Sequence, residues 1–286
     1  MGLLCFLLMF ANWSFKVFKD YRIVILGSIA GLSNTIANVC IILAIKLNLK
    51  SGGSPGAMNW ILMFNVVVLL IVGVFMFKEH HTLKQYVGGV IIFIAIIILA
   101  LSRSFEETGT HTTVQNNQYI ISLWLAFVSW NCWAIPGIAG KYAIIHYNCG
   151  SIDFSNLALF ISGISGAAIY FYIYAYQVPF GLIEPEKAYL AIIKSVLWGV
   201  FSVLGYLLFY KATSIGPVEI SQLFSNLKSI VQIIEEFIFL GILPNLISCF
   251  SIILACLGLI LVVFWGEDKH KELSDDSANS FVKRKC

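Results

Sequence analysis

The chain has 286 residues, 59% of them hydrophobic and only 12% charged, with a mean hydropathy of +0.88. An ordinary soluble domain is about 25% charged, so this composition excludes a soluble globular protein and points to several membrane spans. The net charge of +3 is too small to indicate a nucleic-acid partner.

Residues 1–16 open the chain with a short apolar stretch that ends in the basic group Lys16, Lys19 and Arg22. The stretch lacks the positively charged start of a signal peptide and reads as a mature helix. Clear spans follow at 23–45, 54–77 and 85–102, each without a charge. Gly27 and Gly31, four apart in the first of these, suit close helix packing. The connections KLNLKSGGSPG and KEHHTLK are short and turn-like. The latter holds His80 and His81 beside Glu79, but adjacent residues do not share a helical face and no third ligand is suitably spaced, so no metal site is expected.

Residues 103–118 (SRSFEETGTHTTVQNN) form a long polar connection that divides the chain. Spans are expected beyond it at 118–140, 154–177, 188–210, 217–241 and 245–265, nine in all with the short first one. The tail GEDKHKELSDDSANSFVKRKC is polar, charged and of disordered composition. The seven cysteines (5, 40, 132, 149, 249, 256 and 286) are scattered, odd in number and without metal-ligand spacing. They read as small residues of the spans rather than a disulfide framework.

Orientation follows from Lys and Arg near the membrane. With the Lys16–Arg22 loop and the tail both cytosolic, twelve positive residues lie on the cytosolic side, Lys141 among them as a loop residue. Four (Lys46, Lys50, Arg103 and Lys187) lie opposite, and Lys194 and Lys228 fall within spans. The tail and the 78–84 turn are therefore expected in the cytosol, with 103–118 on the other side.

The span 217–241 carries the main candidate site. Ser221, Ser225, Lys228, Gln232 and Glu235 are spaced by 4, 3, 4 and 3 residues, which puts them on one helical face opposite Ile, Leu, Val and Phe. Lys228 lies about 16 Å along the helix from Pro217, near mid-membrane. A lysine there costs roughly 2.5–3.5 kcal/mol on insertion scales, so it needs a partner or a wet cavity. The stripe reads either as the wall of a solute path, for an anionic or zwitterionic small molecule, or as a buried ion-pair lock. Asn34, Asn38, Asn65, Trp130, Asn131 and Tyr206 are further candidates for a solute-facing wall, since rings take apolar surface and amides fix orientation. The competing reading makes the amides hydrogen-bonding glue between helices and puts the tryptophans at the interface. No Ser/His, paired-Asp or HExxH constellation lies in the spans, so no enzyme, cofactor or catalytic residue is expected. The expected partners are the small-molecule substrate and the bilayer, and a homodimer is admitted.

Phe75-Met76-Phe77, with its polar turn and following apolar helix, recurs as Phe237-Ile238-Phe239 with its own turn and helix. Asn65 falls near Asn226 in the same comparison, and inverted repeats of this kind are typical of carriers. The segment LFYKATSIGPVEISQLFSNLKSIVQIIEEFIFLGILPNLISCFSIILACLGLILV (208–262) and its echo FNVVVLLIVGVFMFKEHHTLKQYVGGVIIFIAIIILAL (64–101) resemble the drug/metabolite transporter superfamily of the EamA-like type. The resemblance runs over roughly residues 23–265, and Glu79 is similar to an acidic residue the family often carries at this turn. It implies an all-α membrane bundle of two inverted halves, here 1–102 and 119–265, joined by 103–118 and followed by a tail at 266–286. It also implies that the first helix of the family plan is missing. The implied function is carriage of a small metabolite through a midplane cavity by alternating access. Lys228 is more reminiscent of the nucleotide-sugar and sugar-phosphate branch, an endomembrane antiporter alternative. A non-transporting membrane scaffold is the alternative from another class.

Overall fold

The computed structural model describes residues 14–51, 64–79, 82–106, 113–177, 185–216 and 246–264, with isolated positions 221 and 238. A 3-10 turn, Ser14–Lys19, is followed by seven α-helices: α1 Tyr21–Lys50, α2 Phe64–Phe77, α3 Leu83–Glu106, α4 Thr113–Tyr147, α5 Ser151–Gln177, α6 Pro185–Ile215 and α7 Leu246–Phe264. Every regular element among the described residues is helical, as a chain crossing lipid requires when each backbone amide must find its partner internally. Three segments, Tyr21–Lys50, Asn117–Tyr147 and Ser151–Ile169, are long and apolar enough to cross a membrane; shorter apolar helices are Val67–Phe77, Leu83–Ile98, Gly199–Ile215 and Cys249–Val262. Of the expected spans, 1–16 lies outside the described residues except for 14–16, and 217–241 except for positions 221 and 238.

Helices overrun the expected spans at several ends. α1 runs to Lys50 and α4 from Thr113 to Tyr147, while α3 continues to Glu106, so helix reaches well into the expected connection 103–118. Hydropathy marks where a segment enters lipid, whereas polar residues prolong the helical backbone beyond that point. Lys141, expected in a cytosolic loop, therefore lies within α4, and it is 8% exposed. α4 also contains Pro136, whose missing amide is tolerated inside a membrane bundle.

Helix ends carry local signals. Asp20 caps α1 by accepting from the Arg22 amide at 2.9 Å. α2 ends where Lys78 takes φ 54° and the Glu79 amide turns back to the Gly73 carbonyl at 3.0 Å. α4 stops in the same way, with Asn148 at φ 51° and the Cys149 amide on the Ala143 carbonyl at 3.3 Å. This left-handed stop is usual after helices; Asn adopts it readily, while for Lys it is less favourable.

Two interfaces organise the packing. α1 lies along α4 and α5, and α3 lies along α7. Gly27 and Gly31 permit the first: a Cβ on Gly27 would meet Leu157 Cδ2 at 2.5 Å, and one on Gly31 would meet the Ala158 carbonyl at 2.6 Å. Gly88 and Gly258 permit the second, where a Cβ on either would meet the other's carbonyl oxygen at 2.7 and 2.8 Å. Gln85 Nε2 donates to the Val262 carbonyl at 3.4 Å, and Gly258 also approaches Ile92, so α3 and α7 run antiparallel. Lipid tails are as apolar as Leu, so such close approach and the dispersion it allows hold these helices together.

Candidate functional site

At mid-depth α1 turns a polar face inward. Ser33, Asn34 and Thr35 are buried, 3–5% exposed, in a helix that is otherwise mainly aliphatic. Asn34 stands about 20 Å along α1 from Tyr21, on a helix about 45 Å long. Its Nδ2 donates to Ser162 Oγ of α5 at 3.0 Å, and its Oδ1 accepts from the Tyr206 hydroxyl of α6 at 2.5 Å. Thr35 Oγ1 lies 3.1 Å from Ser162 Oγ and 2.7 Å from Ser165 Oγ, which itself donates to the Ile161 carbonyl at 2.8 Å. One assignment of protons satisfies the series: Tyr206 donates to Asn34, Asn34 to Ser162, Ser162 to Thr35, Thr35 to Ser165 and Ser165 to the Ile161 carbonyl. A chain in which each hydroxyl both donates and accepts polarises along its length and holds its members in one geometry.

The fourth helix joins through Ser129, whose Oγ donates to the Ala37 carbonyl of α1 at 2.8 Å. Asn38, one turn beyond Asn34, donates from Nδ2 to the Asn34 carbonyl at 2.7 Å. α1, α4, α5 and α6 are thus tied together by side-chain hydrogen bonds deep in the bundle.

The structure brings Asn34, Asn38 and Tyr206 into one cluster and leaves the other described candidates apart from it. Trp130 is 2% exposed and packs with Ile41, Ala44 and Ala126 between α1 and α4, a core position rather than an interfacial one. Asn65 is fully buried on α2, one turn before Val68, which packs against that Trp130 cluster. Asn131 is half-buried and donates to the Phe127 carbonyl of its own helix at 2.9 Å. Ser225, Lys228, Gln232 and Glu235 lie outside the described residues. Asn34 and Tyr206 have protein partners here, as interhelical glue would. Ser129, Ser162, Ser165 and Thr35 did not emerge from the sequence, although Ser155, Ser162 and Ser165 at spacings of 7 and 3 share one face of α5.

A second polar cluster lies where helix ends meet. Lys141 of α4 is ion-paired with Glu79 Oε1, just beyond the end of α2; the two side chains are 10% and 16% exposed. Lys141 Nζ also donates to the Gly216 carbonyl, just beyond α6, at 3.2 Å, and stands 5.3 Å from the centre of the Phe77 ring. Among the described residues no group of three or more His, Cys, Asp or Glu is placed to hold a metal ion.

The EamA-like transporter family matches residues 120–264, about half of the chain. The chain belongs to that family. EamA-like proteins are membrane transporters of small substrates rather than enzymes, which agrees with the apolar helices and makes this an integral membrane protein of that class. No curated protein matches the chain in sequence. The matched stretch takes in α5, α6, α7 and all but the first turns of α4, so the mid-depth cluster joins this EamA-like segment to α1, which precedes it.

Proposed function

We propose that the chain carries a small organic metabolite by alternating access, its two halves, 1–102 and 119–265, rocking about a midplane path. The observation that carries this reading is the EamA-like match over 120–264. Two features support it. The antiparallel pairing of α3 with α7 is the relation expected of the closing helices of two inverted repeats. The hydrogen-bonded cluster lies between α1, of the first half, and α5 and α6, of the second.

The solute wall in this proposal is the stripe Ser225, Lys228, Gln232 and Glu235, with Asn38, Asn65, Trp130 and Asn131 contributing apolar surface and amides. Asn34 and Tyr206 fix the geometry of the neighbouring helices. Lys228 makes an anionic or zwitterionic solute the preferred cargo, because a mid-membrane ammonium needs a counter-charge. At helical spacing Glu235 would stand two turns from Lys228, about 10 Å, too far for a direct pair. The tail and the 78–84 turn face the cytosol on the distribution of Lys and Arg.

The test is uptake of a labelled panel (amino acids, organic acids, nucleotide sugars and sugar phosphates) into proteoliposomes. Lys228→Met should fold and insert, since it removes a buried charge, yet abolish uptake; Lys228→Arg should retain part of it. Normal uptake by Lys228→Met would remove Lys228 from the site. Selective exchange of nucleotide sugars would move the assignment to that branch.

A further inference from the structure

We propose that Glu79 and Lys141 form a releasable closure contact between the two halves, at the end of the molecule that carries the 78–84 turn. The proposal rests on the two-half reading above. Lys141 lies six residues inside the end of α4, about 9 Å below it, where the ends of α2 and α6 converge. It reaches Glu79, from the first half, and the Gly216 carbonyl, from the second. A path opening between the halves at this end must part α2 from α4, and so must draw Glu79 away from Lys141.

The two partners are held unequally, and that makes the contact releasable. Lys141 keeps the Gly216 carbonyl, which belongs to its own half, when Glu79 leaves with α2. It also sits at the C-terminal end of α6, in the same half, whose last carbonyls favour a cation. Among the described residues Glu79 finds its partner through one carboxylate oxygen. Its Oε2 is buried and has no hydrogen-bond partner among the described residues. A buried carboxylate satisfied on one side gains hydration by swinging out, while the lysine it leaves remains partly compensated. Glu79 is therefore the moving partner and Lys141 the fixed one. A lock built for stability alone would satisfy both oxygens.

The experiment measures electron–electron distances between spin labels at Leu83 and Ile145, both exposed and on either side of the contact, 79% and 55% exposed respectively. The protein is full-length, free of native cysteines, and held in lipid nanodiscs. Glu79→Gln should raise the longer-distance population severalfold over wild type, and Lys141→Arg should leave the distribution as it was. Should Glu79→Gln not fold, Glu79→Asp, one methylene shorter, should give a smaller rise in the same direction. An unchanged distribution in the folded variant overturns the proposal. Uptake in proteoliposomes is measured in parallel. A wild-type protein that carries nothing from the panel counts against the carrier reading, while the distances still decide the contact.

Discussion

The α3–α7 interface and the junction of α1, α5 and α6 solve the same problem with different chemistry. Both bring backbones close through glycine: Gly88 against Gly258 in one, Gly27 and Gly31 against Leu157, Ala158 and Ile161 in the other. Between α3 and α7 the rest is dry. Leu70 of α2 joins Ile92, Ala95, Ala255, Leu259 and Val262 in one cluster, and Gln85 contributes a polar bond only at its edge. At the other junction the glycines are followed, one turn on, by Asn34, Thr35, Ser162, Ser165 and the Tyr206 hydroxyl. Dry packing holds two helices by fit of shape, with no directed bond at the centre of the contact. A directed chain of hydrogen bonds fixes the register of three helices at a single depth. This difference fits a scaffold pair on one side and a geometry-setting centre on the other.

The largest effect should come from filling the dry contact. In Gly258→Leu the new Cβ would lie 2.8 Å from the Gly88 carbonyl, a backbone atom that cannot turn aside. Separating α3 from α7 should cost about 3 kcal/mol, the upper part of the range for overpacked cores. Thermal unfolding in detergent measures it, with Gly166→Ala as the neutral control, since nothing lies within 4 Å of a Cβ there. Equal stability of the two variants would show that the α3–α7 contact is not tight.

The polar junction should respond less in stability and more in function. Asn34→Leu leaves Ser162 Oγ and the Tyr206 hydroxyl without their partner at a depth where water does not replace it. We expect a loss of about 1–2 kcal/mol, in line with hydrogen bonds between membrane helices, together with a marked fall in uptake per inserted molecule. Tyr206→Phe removes one hydroxyl and keeps the ring, so its cost should be about 0.6 kcal/mol. A full loss of stability in Tyr206→Phe would mean that the chain of bonds acts as one unit.

The two regions were not equally legible in the sequence. Apolar runs announced an all-helical membrane bundle, and the four-residue spacing of Gly27 and Gly31 announced close packing, because burial and backbone approach leave marks at fixed periods. The partners of Asn34 left no such mark. Ser162 and Ser165 are ordinary small residues in an apolar helix, and what makes them partners is the placement of α5 against α1, a tertiary fact. Lys141 illustrates the same limit from the other side. A lysine just past an apolar run reads as a loop residue, yet the helix continues six residues further, and Glu79 from a distant turn neutralises it. The stripe around Lys228 rests on helical spacing alone.

The smallest expected effect on uptake comes with a test of whether the apolar cluster around the junction stays closed at the membrane edge. Cys149, in the connection between α4 and α5, packs with Val17, Phe154, Leu157 and Tyr210 in the cluster that also contains Ala30 of α1. Burial, and to a lesser degree the charge of Asp153, pushes its thiol up to about 11 from the ordinary 9.0. A thiol reacts as the thiolate, so at pH 8 folded Cys149 should be alkylated much more slowly than a solvent-exposed cysteine, and its rate should still be climbing at pH 10. The linked effect on stability has a definite sign. The folded state holds the proton more tightly than the unfolded one, so this contribution is complete below pH 9 and is lost as pH rises from 9 towards 11. Cys149→Ser should remove that alkaline decline while leaving uptake intact, as followed by thermal unfolding between pH 7 and 10.5. Fast alkylation at pH 8 in the folded protein would mean that the cluster opens at its edge, and that the rigid junction is confined to α1, α5 and α6 at mid-depth.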